Sequence, residues 1–301
     1  MSRLTCGAVA MLAMCCAVPA LAADYPTLRP AYTPQWEESE DSLRFEAGLR
    51  YWYSKGEQSS EVDGNVYDTK DTSHILEGHF RIDDDYTSTF LKGVGGYAAV
   101  INGEHEGGTN APASFEGGHI GYAGGDFGWT PFRTETTRFG ALIGYQYMRE
   151  SPDRDRLNVE SVDGLNIHAL RLGVTGHADL TPMFDIDAEA AFIPYAYAYG
   201  ATPAIVIPEE DLGGDFVVNR RDSEATGSLY GASGQMMVGF HPTENLTLRV
   251  GARAWYLSGP SSMRQRRFNA EDPNRFAYRN GTLSGFSLFR YGALAELTGR
   301  F

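Results

Sequence analysis

Cysteine is nearly missing from this chain of 301 residues. Its three copies all lie close to the amino terminus: Cys6, Cys15 and Cys16. The stretch that holds them has the plan of a secretory signal peptide, with Arg3, an apolar run over 4–18 and the small-x-small sequence Ala20-Leu21-Ala22. We predict a signal peptide over residues 1–22, cleaved near Ala22 during export. The mature chain would then hold no thiol, which excludes disulfides, cysteine catalysis and thiolate metal sites.

Long apolar runs are missing as well. The best candidate for a membrane helix after the leader is 190–208, and Pro194, Pro203 and Pro208 interrupt it. Basic residues are in the minority, with 25 Lys and Arg against 39 Asp and Glu and a formal net charge of −14. The sequence therefore indicates no helical membrane anchor and no nucleic-acid-binding surface. Residues 23–42, rich in proline and then in acidic side chains, are predicted to form an extended periplasmic segment.

The last stretch of the chain, 285–301, carries a regular alternation up to its final residue. Apolar and aromatic side chains such as Tyr291, Leu297 and Phe301 occupy one face, whereas Arg290 and Glu296 belong to the other. A period of two is the period of a β-strand. The stretch is longer than an ordinary strand of about 5–6 residues and suits a strand tilted across a bilayer, which needs roughly 9–11.

The same alternation recurs along the rest of the mature chain. Short turns are predicted at 83–85, 131–136, 180–183 and 241–245, and long polar loops at 55–71, 100–117, 149–164, 200–224 and 258–280. We predict strands at 43–54, 72–82, 87–99, 118–129, 137–148, 165–179, 184–197, 225–240, 246–257 and 285–301. The predicted fold is all-β, a transmembrane antiparallel β-barrel of ten strands over 43–301 with short periplasmic turns and long extracellular loops. Pairing the first strand with the last would close it and leave no free edge.

Three stretches, 90–93, 144–147 and 241–249, resemble outer-membrane β-barrel proteins of alphaproteobacteria, and the ten-strand plan is similar to that of the omptin proteases. The resemblance implies the outer membrane of a Gram-negative bacterium as the location. A carboxyl-terminal phenylalanine such as Phe301 also resembles the closing-strand signal of these barrels, which implies recognition by the barrel-assembly machinery.

Omptins cut peptides with a pair of aspartates in one outer loop and an Asp–His pair in another. The corresponding loop of this chain reads Glu104-His105-Glu106 without an aspartate pair, and the fourth outer loop holds no histidine. We therefore expect no complete catalytic set and no enzyme activity, and an omptin-like, loop-borne hydrolase that uses His105 remains an alternative. Neither this triplet nor Asp83-Asp84-Asp85 is predicted to hold a metal, and no cofactor is expected.

Charged residues on the inward register are predicted to form an ion-pair network, because unpaired charges away from bulk water are costly. Ten strands enclose little more than side chains, so an occluded lumen is expected and a narrow porin-like channel is the alternative. An acid–base site of Asp185, Asp187 and Glu189 near His177 and Asp179 is a further alternative. The predicted network consists of Arg44, Arg50, Glu77, Arg81, Arg171, Asp185, Asp187, Glu189, Arg249, Arg253, Arg290 and Glu296.

Basic side chains gather in two of the predicted outer loops despite the acidic background. Guanidinium groups suit phosphate, so we predict that these loops contact the phosphates of lipopolysaccharide in the outer leaflet. The predicted binding residues are Arg220, Arg221, Arg264, Arg266 and Arg267. The sequence as a whole indicates an outer-membrane barrel with a structural or surface-interaction role.

Overall fold

The computed structural model describes residues 43–62, 64–107, 110–152, 164–200, 216–269, 274 and 276–301. The predicted signal peptide, 1–22, and the segment 23–42 lie outside the described residues. Within those residues, no helix has the length and apolar character needed to cross a membrane. The strands are β1 (Leu43–Val62), β2 (Asn65–Asp84), β3 (Thr89–Gly107), β4 (Asn110–Glu116), β5 (Gly118–Arg133), β6 (Thr137–Pro152), β7 (Leu165–Thr181), β8 (Phe184–Gly200), β9 (Phe216–Thr243), β10 (Leu246–Asn269) and β11 (Phe276–Arg300).

All eleven strands belong to one antiparallel sheet in the order β2-β1-β11-β10-β9-β8-β7-β6-β5-β3-β4, and the pairing of β2 with β3 closes it. Both β4 and β5 pair with β3, so together they form one barrel strand. The break between them falls at Gly117 and Gly118, whose φ angles of 96° and 120° suit glycine. The predicted closed barrel of ten strands is therefore confirmed. Its first and last strands pair as predicted, with Ser54 opposite Gly292.

The two faces of the barrel wall differ in chemistry. Outward side chains include Leu49, Leu76 and Val250, which are 72%, 62% and 63% exposed. Their inward neighbours Glu77 and Arg249 are buried. An apolar outer surface around a polar interior is the arrangement of a barrel that sits in a bilayer.

Several stretches predicted to be loops are strands, and this corrects the sequence-based boundaries. β1 and β2 reach a tip at Val62 and Asn65, so most of 55–71 is paired sheet. Most of 100–117 and 258–280 is paired as well. Beyond a bilayer both faces of a hairpin can carry polar residues, so the alternation that marks a transmembrane strand fades although the pairing continues. Residues 153–163 and 201–215, in the other two predicted loops, lie outside the described residues.

The two ends of the barrel are therefore unlike each other. We use "terminal end" for the end at Leu43 and Phe301, where short turns join the strands. We use "hairpin end" for the opposite end, where the long hairpins extend beyond the length that a bilayer requires.

The seam between β1 and β11 leaves no space for a side chain at Gly292. A methyl group there would lie 1.9 Å from the carbonyl oxygen of Tyr53. We expect Gly292→Ala to reduce the yield of folded barrel strongly, because the first and last strands must separate to accept it. Gly78→Ala is the matched control, since its added carbon meets no atom within 4 Å. Heat-modifiable migration on a denaturing gel measures the folded fraction, and equal fractions in the two variants would contradict the prediction.

Candidate functional site

The lumen near the terminal end is filled by paired charges, and Glu77 is the centre of one group. Its side chain is 0% exposed, and its carboxylate pairs with Arg50 and with Arg253, whose Nη1 lies 2.6 Å away. The Tyr122 hydroxyl also donates to it. Arg50 in turn bonds Glu296 at 2.5 Å. Two guanidinium groups therefore share one buried carboxylate. Arg50 has a second anionic partner in Glu296, whereas Arg253 also donates to the amide oxygen of Gln235.

A second group surrounds Arg249. Its guanidinium lies 3.1 Å from Asp185, 3.2 Å from Asp187 and 3.1 Å from Glu296. Glu296 therefore joins this group to the one around Glu77. His241 bonds Asp185 at 2.8 Å and reinforces the cluster from β9.

A third group lies on the opposite wall. Arg171 bonds Asp126 at 2.8 Å and Glu189 at 2.6 Å, and Lys92 lies 3.0 Å from Asp126 and also pairs with Glu189. A cavity of ≈ 140 Å³ lies among the three groups. Its walls combine cations and anions, so the lumen here is a charged chamber.

Charges at the terminal rim are paired too. Arg81 bonds Asp83 at 2.7 Å, and Arg44 and Arg133 lie 2.9 and 2.6 Å from Asp85. Asp84 instead accepts hydrogen bonds within its own turn. Each of these three carboxylates thus has protein partners. Asp83 and Asp84 end β2 and the turn follows at 85–88, which corrects the predicted turn at 83–85.

The hairpin half of the lumen contains a large cluster of buried apolar side chains, which we name the apolar plug. At its base Trp255 lies 4.8 Å from Trp52 and 5.3 Å from Tyr122, in edge-on contacts. Both tryptophans lie in the lumen and do not belong to an interfacial girdle of the barrel. Every strand contributes to this plug: Trp52, Ile75, Ala98, Ile101, Phe115, Ile120, Tyr122, Met148, Leu165, Ile167, Ala169, Ile193, Ala196, Ala198, Leu229, Met237, Trp255, Leu257, Phe286, Leu288 and Leu294.

A buried triad accompanies the plug. Arg290 is 0% exposed and bonds Asp71 at 2.9 Å and Glu150 at 2.7 Å, and it also donates to Ser54. Arg290 was predicted to be inward, whereas both carboxylates fell in predicted loops. Asp71 and Ser73 continue the inward register of Ile75 and Glu77 along β2. This register is the sequence signal that would have placed Asp71 in the lumen.

The histidine of the hydrolase hypothesis is enclosed by neighbouring side chains. His105 is stacked on Phe115 at 4.6 Å, and its Nδ1 lies 2.8 Å from the Thr69 hydroxyl. Glu104 and Glu106 belong to the opposite face of β3, where Glu106 pairs with Lys70 at 3.1 Å. The triplet is therefore divided between the two faces of the wall.

His177, Asp185 and Asp187 place possible metal-ligand atoms within 4.8 Å of one another. His177 bonds Asp187 at 2.9 Å and Asp179 at 3.1 Å, so four residues of the predicted acid–base alternative lie together, whereas Glu189 pairs with Lys92 and Arg171. However, the Arg249 guanidinium already lies against both aspartates. A cation so close opposes a metal ion by charge repulsion, and we assign no metal to this group.

The basic residues predicted for outer loops lie on strands, which corrects their placement. Arg220 and Arg221 belong to β9, and Arg264, Arg266 and Arg267 belong to β10, at the hairpin end. The Arg264 guanidinium lies 3.7 Å from the ring centroid of Tyr278. The side chains of the other four lie outside the described part of the chain.

Comparison with known proteins places the fold among outer-membrane barrels. The sequence matches no protein-family model, and no curated protein matches it. The structure is similar to the outer membrane protease OmpT from Escherichia coli, with a TM-score of 0.58 and 11% identity over 87% of this chain and 98% of that one. It also matches the transport unit of the autotransporter AIDA-I from Escherichia coli (TM-score 0.35, 11% identity, 90% and 94% covered) and OprG from Pseudomonas aeruginosa (TM-score 0.31, 8% identity, 84% and 94% covered).

Glu77 and Glu106 provide a test of the lumen network. Glu77→Gln should lower the free energy of unfolding by about 3–5 kcal/mol, because Arg50 and Arg253 would each lose a buried partner. Glu106→Gln, which breaks a half-exposed pair with Lys70, should cost less than about 1 kcal/mol. Urea titration of the folded barrel in detergent measures both values. Equal losses of unfolding free energy in the two variants would show that the buried carboxylate of Glu77 contributes no more to stability than the half-exposed carboxylate of Glu106.

Proposed function

We propose that this chain is a closed, non-enzymatic barrel of the outer membrane that works through its outer surface and hairpin end and does not conduct solutes. The observation that carries the proposal is the apolar plug, to which all strands contribute. Ions cross membranes through water-filled or polar paths, and a layer of packed apolar side chains offers neither. The charged chamber on the terminal side of the plug is then a cavity that ends at the plug.

The outward apolar surface supports a position in a bilayer. With the predicted signal peptide, it supports the outer membrane, with the terminal end in the periplasm and the hairpin end outside. Phe301 is 84% exposed, and its backbone N–H donates to the Phe45 carbonyl at 2.9 Å. An exposed aromatic residue at the end of the closing strand supports recognition by the barrel-assembly machinery.

The non-enzymatic part of the proposal is supported by the surroundings of His105. A general base must reach the water that it activates, and this ring is stacked between strands against Phe115. The likeness to OmpT, at 11% identity, concerns the fold.

Planar-bilayer recordings test the closed lumen. We expect the refolded wild-type barrel to give no unitary current steps at high KCl concentration. A variant with Trp52, Trp255 and Phe286 replaced by alanine loses three large plug side chains and should give small steps, which makes it the matched comparison. Stepwise currents from the wild type would contradict the proposal in favour of a narrow channel.

The arginines of β9 and β10 support contact with lipopolysaccharide at the hairpin end. Arg264 is exposed and held over the Tyr278 ring, which orients its guanidinium at little entropic cost. Arg266 lies two residues beyond Arg264 on β10, and Arg267 pairs in register with Val218, two residues from Arg220.

Replacing Arg264, Arg266 and Arg267 by glutamine should weaken binding to phosphorylated lipid A by about tenfold or more, since each charged hydrogen bond contributes roughly 1.5–3 kcal/mol. Arg133→Gln, at the terminal end, is the matched control and should leave binding unchanged. Binding is measured by titration of the detergent-solubilised barrel. Equal binding by the triple variant and the control would remove lipopolysaccharide from the proposal.

A further inference from the structure

Three tyrosine–histidine pairs recur on the outward face of the barrel. In each pair the tyrosine oxygen lies close to Nδ1 of a histidine 22 or 23 residues later in the chain. The pairs are Tyr51–His74 at 2.5 Å, Tyr97–His119 at 2.6 Å and Tyr145–His168 at 2.5 Å. We name these six residues the tyrosine–histidine belt.

The belt lies at one level of the wall. Tyr51, Tyr97 and Tyr145 are each the ninth residue of their strands, β1, β3 and β6. Each histidine lies on the next barrel strand, β2, β5 or β7. A strand crosses the hydrocarbon layer in roughly 9–11 residues. Counted from the terminal end, the belt therefore lies where the bilayer gives way to its headgroups.

Neighbouring aromatic rings hold the imidazoles in place. The His74 ring meets Tyr53 edge-on at 5.4 Å. The His168 ring is stacked on Tyr199 at 5.8 Å with an angle of 6° between the planes, and it also contacts Tyr147 at 5.1 Å. An imidazole that is hydrogen-bonded through Nδ1 and flanked by aromatic rings can adopt few orientations. Its second nitrogen, Nε2, therefore points in a defined direction.

Within the described part of the chain, His74 and His168 make no hydrogen bond besides the one at Nδ1. When the tyrosine hydroxyl donates to Nδ1, the proton of a neutral imidazole lies on Nε2. That second nitrogen is then a donor without a protein acceptor at these two sites. Lipid tails offer no acceptor, whereas a phosphate offers oxygens that bind N–H groups strongly.

We propose that the tyrosine–histidine belt is a binding site for the phosphate groups of membrane-lipid headgroups. The imidazoles of His74 and His168 each donate through Nε2 to a phosphate oxygen, and the paired tyrosine positions the ring. The site is separate from the arginine surface of β9 and β10. The inference does not depend on whether the lumen conducts.

The test uses the full folded barrel in neutral detergent, titrated with phosphatidylglycerol and, in parallel, with a phosphate-free glycolipid. Native mass spectrometry counts the bound lipids. We expect phosphatidylglycerol to bind more tightly than the glycolipid. The double variant His74→Phe/His168→Phe keeps the rings and removes the donors. It should bind phosphatidylglycerol about tenfold more weakly than the wild type.

Two further variants separate this effect from a change in folding. Tyr230→Phe alters an exposed tyrosine outside the belt and should bind like the wild type. His74→Gln/His168→Gln keeps an N–H donor at each position, so it should keep part of the affinity. Heat-modifiable migration confirms that each variant is folded. Unchanged binding by the folded Phe double variant, equal binding of the glycolipid, or displacement of the lipid by equimolar inorganic phosphate would overturn the proposal.

Discussion

The pairing of charges inside a narrow wall is the constraint on which the rest of this structure depends. Ten strands enclose a space that side chains nearly fill, so a charge pointing inward has little bulk water to solvate it. Glu77 and Arg290 are buried completely at the side chain, and each is held by two partners of opposite charge. Removing one partner would leave an unpaired buried charge, which lowers the free energy of unfolding more than most surface substitutions do. The inward register can be charged only because the strands bring these partners together.

The lumen combines this charged chamber with an apolar plug, and the order of the two layers limits what the barrel can do. The chamber occupies the terminal side, and Trp52, Trp255 and Tyr122 begin the plug immediately beyond Arg253 and Glu77. A polar cavity that ends in packed rings supports the proposal that the lumen does not conduct. The likeness to a solved outer membrane protease, at 11% identity, concerns the fold.

The outward face follows a different rule, because its surroundings change from hydrocarbon to headgroups and then to water. Leu49 and Val250 suit the first of these layers, and the tyrosine–histidine belt occupies the level of the second. The belt recurs at the ninth residue of three strands because these strands cross the bilayer over the same number of residues. The arginine surface lies further along the hairpins, where the strands continue beyond the membrane.

The sequence by itself determined the barrel class, the number of barrel strands and the two-residue alternation along most strands, because the period of two survives wherever one face meets lipid and the other meets the lumen. It did not determine where the strands end, since polar residues on both faces of an extended hairpin carry no such period. It also did not identify the partners of an inward charge. Arg290 meets Asp71 and Glu150 from strands 219 and 140 residues away. Only the register and closure of the barrel bring such distant residues together, so the plug, the ion pairs and the belt were decided by the tertiary structure.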